Sequence, residues 1–190
     1  MREKVKVKYA ILILILANVP AVLNAQNGEL LFNALEFDIN VYQYPYMLRI
    51  KNPLTDLVNT NFTFTDQDYN FELRYALFSQ TEMDAADIYR SFALFVIPII
   101  NGAAGLEVDL NDIQLYDEKD VAEEYNGDIG LSAFIPNPSS RYCSGYAFVL
   151  LNFFLKKNQG IVMQTILFDE IEFAGSEEFD EILHSFEFYD

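Results

Sequence analysis

The chain has one cysteine, one histidine and no tryptophan in 190 residues. A single Cys cannot build an intrachain disulfide framework. A lone His with a lone Cys excludes the common zinc-site patterns, which need several such ligands. There is no glycine-rich phosphate loop, no dinucleotide-binding glycine pattern and no nucleophile elbow, so the usual nucleotide-dependent and serine-hydrolase signatures are missing. Positive charge is also scarce. The formal net charge is −17, and four of the twelve basic residues (Arg2, Lys4, Lys6 and Lys8) crowd into the first ten positions. A surface this acidic repels phosphate backbones and anionic lipid, which argues against nucleic-acid binding. It favours solubility and suits cations or a partner with a basic surface.

What is present is apolar and aromatic. Hydrophobic residues make up 52% of the chain, enough for one domain with a real core rather than a disordered chain. The 17 Phe and 12 Tyr favour sheet. At the N-terminus a basic stretch, Met1–Tyr9, precedes the apolar run Ala10–Ala17 and a segment ending in Ala25. That order is expected of a secretory signal, cleaved after Ala25. The apolar run is short for a membrane span, and no Cys follows it to carry a lipid. An uncleaved anchor is the alternative. The expected organisation is therefore a signal peptide over 1–25 and a single domain over 26–190, exported to the periplasm or the extracellular space, with no stable membrane insertion after cleavage.

The segment 145–168 sets the architecture. Two apolar runs flank Lys156-Lys157-Asn158-Gln159-Gly160, a turn signature between strands. Both alternating sets of the first run are mostly apolar: Tyr146, Phe148, Leu150 and Phe154 on one side, and Ala147, Val149, Leu151, Phe153 and Leu155 on the other. A strand of this kind needs cover on both faces. Two helices are available. Thr81–Asp84 reads as a capping box before Ile88 and Phe92 at helical spacing, ended by Pro98. Ser176 reads as the N-cap of a last helix with the stripe Phe179, Ile182, Leu183 and Phe186.

Further strands are expected at Asn61–Thr65 and Phe71–Phe78, with Phe71, Leu73, Tyr75 and Leu77 on one face, and at Ile113–Tyr116 and Ile129–Ile135. Tyr44–Ile50 reads as extended, because a residue before Pro avoids the helical region. Asp117–Asp120 reads as a charged turn, and Val121–Tyr125 as further strand or a helical turn. Residues 26–43 permit a short helix or a first strand. Gly130 inside a strand suggests a bulge or a close backbone approach.

Glu72–Ala76, Glu124–Gly130, the Tyr142–Phe168 hairpin and the closing Ile182–Phe188 resemble a group of small exported bacterial proteins of unknown function. The order of elements over 44–188 is similar to the Mog1/PsbP-like fold. That resemblance implies an α+β fold, an antiparallel sheet with helices packed on it as an α/β/α sandwich, and no activity. It does not account for the acidic segment 107–128.

The chemistry-bearing residues are few. Asp66, Asp68 and Asn70 place oxygen ligands at alternate positions, as calcium loops do. Phe71 and Leu77, however, stand where an EF-hand requires Gly and Glu, and Asp and Asn are ordinary turn residues. Cys143 reads as a buried small hydrophobe. His184 reads as a solvated or half-covered surface residue at the edge of the last helix. A Cys143–His184 nucleophile pair would require the two to meet in space. Carboxylates abound, so no glycosidase-like pair stands out. No catalytic residue and no cofactor is expected. The leading expectation is a non-enzymatic binding or assembly module of the cell envelope or extracellular space, engaging a protein with a basic surface. The alternatives are a small carboxylate-dependent hydrolase and a structural homodimer formed through an aromatic sheet face.

Overall fold

The computed structural model describes residues 29–34, 39–52, 60–68, 70–78, 86–93, 113–138, 141–143 and 145–189. The expected signal segment over 1–25, the expected capping box at Thr81–Asp84 and Pro98 lie outside these residues. Ten strands are described: β1 Glu29–Ala34, β2 Ile39–Gln43, β3 Leu48–Arg49, β4 Phe62–Thr65, β5 Phe71–Phe78, β6 Ile113–Leu115, β7 Ile129–Pro136, β8 Phe148–Lys156, β9 Gly160–Phe168 and β10 Phe186–Phe188. The helices are α1 over 86–93, α2 Glu118–Tyr125 and α3 Glu177–Leu183. Seven strands form one antiparallel sheet in the order β3-β4-β5-β9-β8-β7-β6, and β1-β2-β10 form a second, also antiparallel. The class is α+β.

The β8–β9 hairpin occupies the middle of the large sheet. Its turn is closed by Asn158 at φ 65, and Gly160 at φ 155 opens β9. Every residue of β9 is buried, so both faces are covered, as two apolar faces require. One face carries Leu150, Phe154, Val162, Ile166 and Phe168, joined by Phe71, Leu73, Tyr75 and Leu77 of β5. It is closed by Phe179, Ile182 and Leu183 of α3, Val121 and Tyr125 of α2, and Ile39, Val41, Phe186 and Phe188 of the small sheet. The opposite face carries Leu151, Phe153, Leu155, Met163 and Leu167, closed by Ile88 and Phe92 of α1 and by Tyr142 and Cys143. Helices therefore lie on both sides of the sheet, in the layered arrangement expected.

Several local expectations change. The span 26–43, open between helix and strand, contains β1 and β2. Tyr44–Met47 is a tight turn rather than an extended segment, closed by Met47 N–H donating to the Tyr44 carbonyl at 2.9 Å. Pro45 sits where its fixed φ suits a turn. The charged stretch 117–120 is the start of α2, because the Asp117 side chain accepts from Lys119 N–H and Glu118 and Asp120 sit at the positive end of the helix dipole. α3 begins at the expected cap, Ser176, which accepts from Phe179 N–H at 3.1 Å. It stops at Leu183, and Phe186 belongs to β10, paired with Val41. Phe186 and Phe188 alternate at strand period, and this pairing overrides the helical spacing. Gly130 sits in regular register with Phe154. It marks a close approach: a Cβ there would lie 2.8 Å from Val121 Cγ2 and 3.0 Å from Phe154 Cε1.

Candidate functional site

The turn joining β4 to β5 comes to lie beside the β9 terminus and the loop that precedes α3. Between them opens a cleft of about 580 Å³. Asp66, Asp68 and Asn70 line one side, and Asp169, Glu170 and Glu178 another. Its remaining walls are the rings of Tyr46, Phe71 and Phe173. Phe71 and Phe173 stack, with centroids 5.6 Å apart and planes at 11°. Tyr46 meets Phe71 edge-on at 6.4 Å. None of the described residues lining the cleft is basic.

The rim is held by ordinary local chemistry. Both oxygens of Asp66 accept from Asn70, one from its backbone N–H at 2.7 Å and one from its side-chain amide at 2.6 Å. That is the use a turn makes of Asp. Asp169 Oδ1 accepts from Ala147 N–H at 2.8 Å, which ties the end of β9 to the start of β8. Tyr46 donates its hydroxyl to Glu181 Oε2 at 2.9 Å. Burial, then that hydrogen bond and the Glu181 charge, raise the phenol well above its ordinary range, so it stays a neutral donor. Among the described residues, no three His, Cys, Asp or Glu side chains are gathered tightly enough to hold a metal ion.

A second cluster surrounds His184, the C-cap of α3. Of the two surroundings expected it has the half-covered one: its side chain is 16% exposed. The ring faces Glu124 Oε2 at 3.0 Å through Nε2 and the Asp180 carbonyl at 2.8 Å through Nδ1. It stacks on Tyr125 with centroids 5.5 Å apart. Burial disfavours the imidazolium, but the Glu124 hydrogen bond, the Asp180 carbonyl and the two carboxylate charges outweigh it, and the pKa is raised. The Asp180 carboxyl is raised by burial and by Glu124, against the lowering effect of His184.

Beneath α3 runs a buried polar chain. Gln164 donates Nε2–H to the carbonyls of Ile182 and Leu183 at 3.0 and 3.1 Å and to the Tyr75 hydroxyl at 3.0 Å. Asn152 donates to Gln164 Oε1 at 2.9 Å, and Tyr116 donates to Asn152 Oδ1 at 3.1 Å. The central hairpin thereby caps the last turn of the closing helix.

The structure thus brings Asp66, Asp68 and Asn70 together with three carboxylates roughly a hundred positions away along the chain. It does not bring Cys143 and His184 together. Cys143 is buried with Tyr142 on the α1 side of the sheet, and His184 stacks on the α2–α3 side. Sequence reasoning missed Glu124 as a partner of His184, and Asn152 and Gln164 as inward polar residues. For the first no local signal exists, although the i, i+4 spacing of Asp180 and His184 on a helix was available. For the other two, the signal was a single amide in each mostly apolar strand.

No family model matches this chain, and no curated protein matches it. Among solved structures it is similar to cyanobacterial PsbP (CyanoP) from Synechocystis sp. PCC 6803, at 11% sequence identity and a TM-score of 0.44, over 90% of this chain and 98% of that one. No helix among the described residues is long and apolar enough to cross a membrane.

Proposed function

We propose that this chain is an exported, non-enzymatic binding module whose acidic cleft takes a lysine- or arginine-bearing segment of a protein partner. The observation that carries the reading is the convergence of Asp66, Asp68, Asp169, Glu170 and Glu178 on a cleft walled by Tyr46, Phe71 and Phe173. A cationic side chain entering it would meet ring faces and carboxylates together. Each ring contact would contribute roughly 0.5–2 kcal/mol according to desolvation. The surrounding negative field would speed encounter at low salt and lose that effect as salt screens it. The basic and apolar N-terminal stretch supports export.

The test is calorimetric titration of the full chain with a lysine-rich peptide and with a glutamate-rich peptide of equal length. The lysine peptide should bind, weaken steeply with salt, and lose about tenfold in affinity in Asp68→Asn/Glu170→Gln, an effect the size of one or two partly exposed charge pairs. Equal binding by wild type and variant, or no binding of the lysine peptide, would sink the reading. Calcium is run alongside. If calcium binds at Asp66 and Asp68 and the peptide does not, the cleft is a cation site instead. Size-exclusion chromatography of the free chain separates both outcomes from a homodimer.

A further inference from the structure

The contacts of His184 place a strict condition on protons. Its Nδ1 lies 2.8 Å from the Asp180 carbonyl, and a carbonyl oxygen only accepts, so Nδ1 must carry a hydrogen. A neutral imidazole protonated there presents a lone pair at Nε2. That nitrogen lies 3.0 Å from Glu124 Oε2, and a carboxylate also only accepts. The two contacts coexist only if one further proton sits between His184 and Glu124, as imidazolium–carboxylate or as neutral imidazole and carboxylic acid. Without it, one hydrogen bond becomes a repulsion between lone pairs.

Glu124 stands in the last turn of α2, and His184 caps α3, sixty residues later. The pair therefore joins two helices. α2 has few other polar ties to the body of the domain. The Tyr125 hydroxyl is buried without a hydrogen-bond partner. Asn126 donates to the Phe188 carbonyl at 3.1 Å and holds the C-cap at any pH. The groups facing the imidazole are Glu124 and Tyr125 from α2 and Asp180 from α3, whose carboxylate lies 3.5 Å from Nδ1. Tyr44, from the turn after β2, faces Asp180, and burial with Glu181 and Asp180 pushes its hydroxyl up to about 12. Tyr75, beneath, is engaged with Ser185 at 2.6 Å. None of these tyrosines changes charge near neutrality.

We propose that His184 is a proton-controlled clasp between α2 and α3: the proton shared with Glu124 holds α2 down on the sheet, and its loss loosens α2 over Tyr116 and Phe154. The raised position of the His184 titration agrees with this, since the folded state holds the proton more tightly than the unfolded chain. The clasp is tight in acid and slack in base.

Amide hydrogen exchange on the full chain reads it directly. The amides of Val121–Tyr125 are followed against those of Val162–Ile166 in β9, corrected for the intrinsic pH dependence of exchange. NMR of the imidazole ring supplies the titration midpoint. In wild type, α2 protection should fall about tenfold relative to β9 as the imidazole loses its proton, the scale of one charge-assisted hydrogen bond. Glu124→Gln should abolish the fall, because its amide donates to a neutral imidazole and needs no shared proton. His184→Gln should also be flat. If wild-type α2 follows β9 across the titration, or if Glu124→Gln keeps the wild-type fall, the clasp is wrong. β9 protection in each variant reports the fold, so an unfolded His184→Gln leaves the Glu124→Gln comparison decisive.

Discussion

The two faces of the large sheet are built from alternate residues of the same hairpin, yet they solve the burial problem differently. On the α2–α3 face, Phe154 meets the rings of Tyr116, Tyr125 and Phe186 at 5.3, 4.1 and 5.1 Å. The polar groups in contact with the strands there are neutral amides and hydroxyls in one chain, from Tyr116 through Asn152 and Gln164 to the end of α3, and the His184–Glu124–Asp180 cluster stands above them between the two helices. On the α1 face, Phe153 meets Phe78 and Phe92 at 6.5 and 5.6 Å. Its main polar group is a buried charge. Arg74, 5% exposed, pairs with Glu72, donates to the Tyr142 carbonyl and lies 4.6 Å from the Tyr142 ring centroid. A neutral network can run through the centre of a sheet, because each group satisfies the next at modest desolvation cost. A charge needs its counter-ion at hand, and Glu72, two positions along the same strand, supplies it.

The contrast can be broken most forcefully at the two phenylalanines. Phe154→Ala should cost about 4 kcal/mol in denaturant unfolding, and Phe153→Ala about 3, because the rings around Phe154 lie closer and leave it more contacts to lose. An equal or larger loss at Phe153 would show that ring contacts do not distinguish the faces. Next in size, Gln164→Leu should cost about 2–3 kcal/mol, since it strips the partner from the Asn152 amide and one donor from each of two helix-end carbonyls, of which Ile182 keeps Ser185. On the other face, Thr165→Val removes a hydroxyl that meets Tyr142 at 3.2 Å and should cost about 1 kcal/mol.

Gly130→Ala should cost about 1–2 kcal/mol, by overpacking α2 against β7. Gly175→Ala, where a Cβ meets nothing within 4 Å, should stay within about 0.5 kcal/mol of wild type. A free pass at Gly130 would mean that α2 is not pressed onto the sheet there.

The smallest effect is the dependence on pH. The folded-state pKa of His184 is raised, so its stabilisation is complete below the unfolded value and is lost as pH rises through the folded one. Asp180, also raised, acts with the same sign in the acid range. Wild-type stability should therefore fall relative to His184→Gln as pH rises through the histidine titration. Parallel curves for the two proteins would show that the contact is not felt by the fold as a whole.

How much of this was legible varies with the physics involved. The hairpin, β5 with its Phe71-Leu73-Tyr75-Leu77 face, the Ser176 cap and the tight approach at Gly130 follow from period, capping and the lack of a side chain. Each is decided within a few residues. The turn at Pro45 and the N-terminus of α2 were misjudged where two local rules compete: Pro suits both extended chain and turns, and a run of acids suits both a charged loop and a helix start. The acidic cleft was half legible. Asp66, Asp68 and Asn70 announced an oxygen-rich turn, but nothing near them in the chain announced Asp169, Glu170 or Glu178.

The sequence by itself determined that a hairpin apolar on both sides would lie at the centre of an antiparallel sheet, that helices would have to cover it, and that the exterior would be acidic. These follow from side-chain chemistry repeated at fixed period, which needs no knowledge of distant residues. Only the tertiary structure decided that α1 and α3 take opposite faces, that the β4–β5 turn and the end of β9 share a cleft, and that Glu124 meets His184 across sixty residues. Such meetings depend on the order of strands in the sheet, and that order is set by the packing of the whole chain rather than by any one segment.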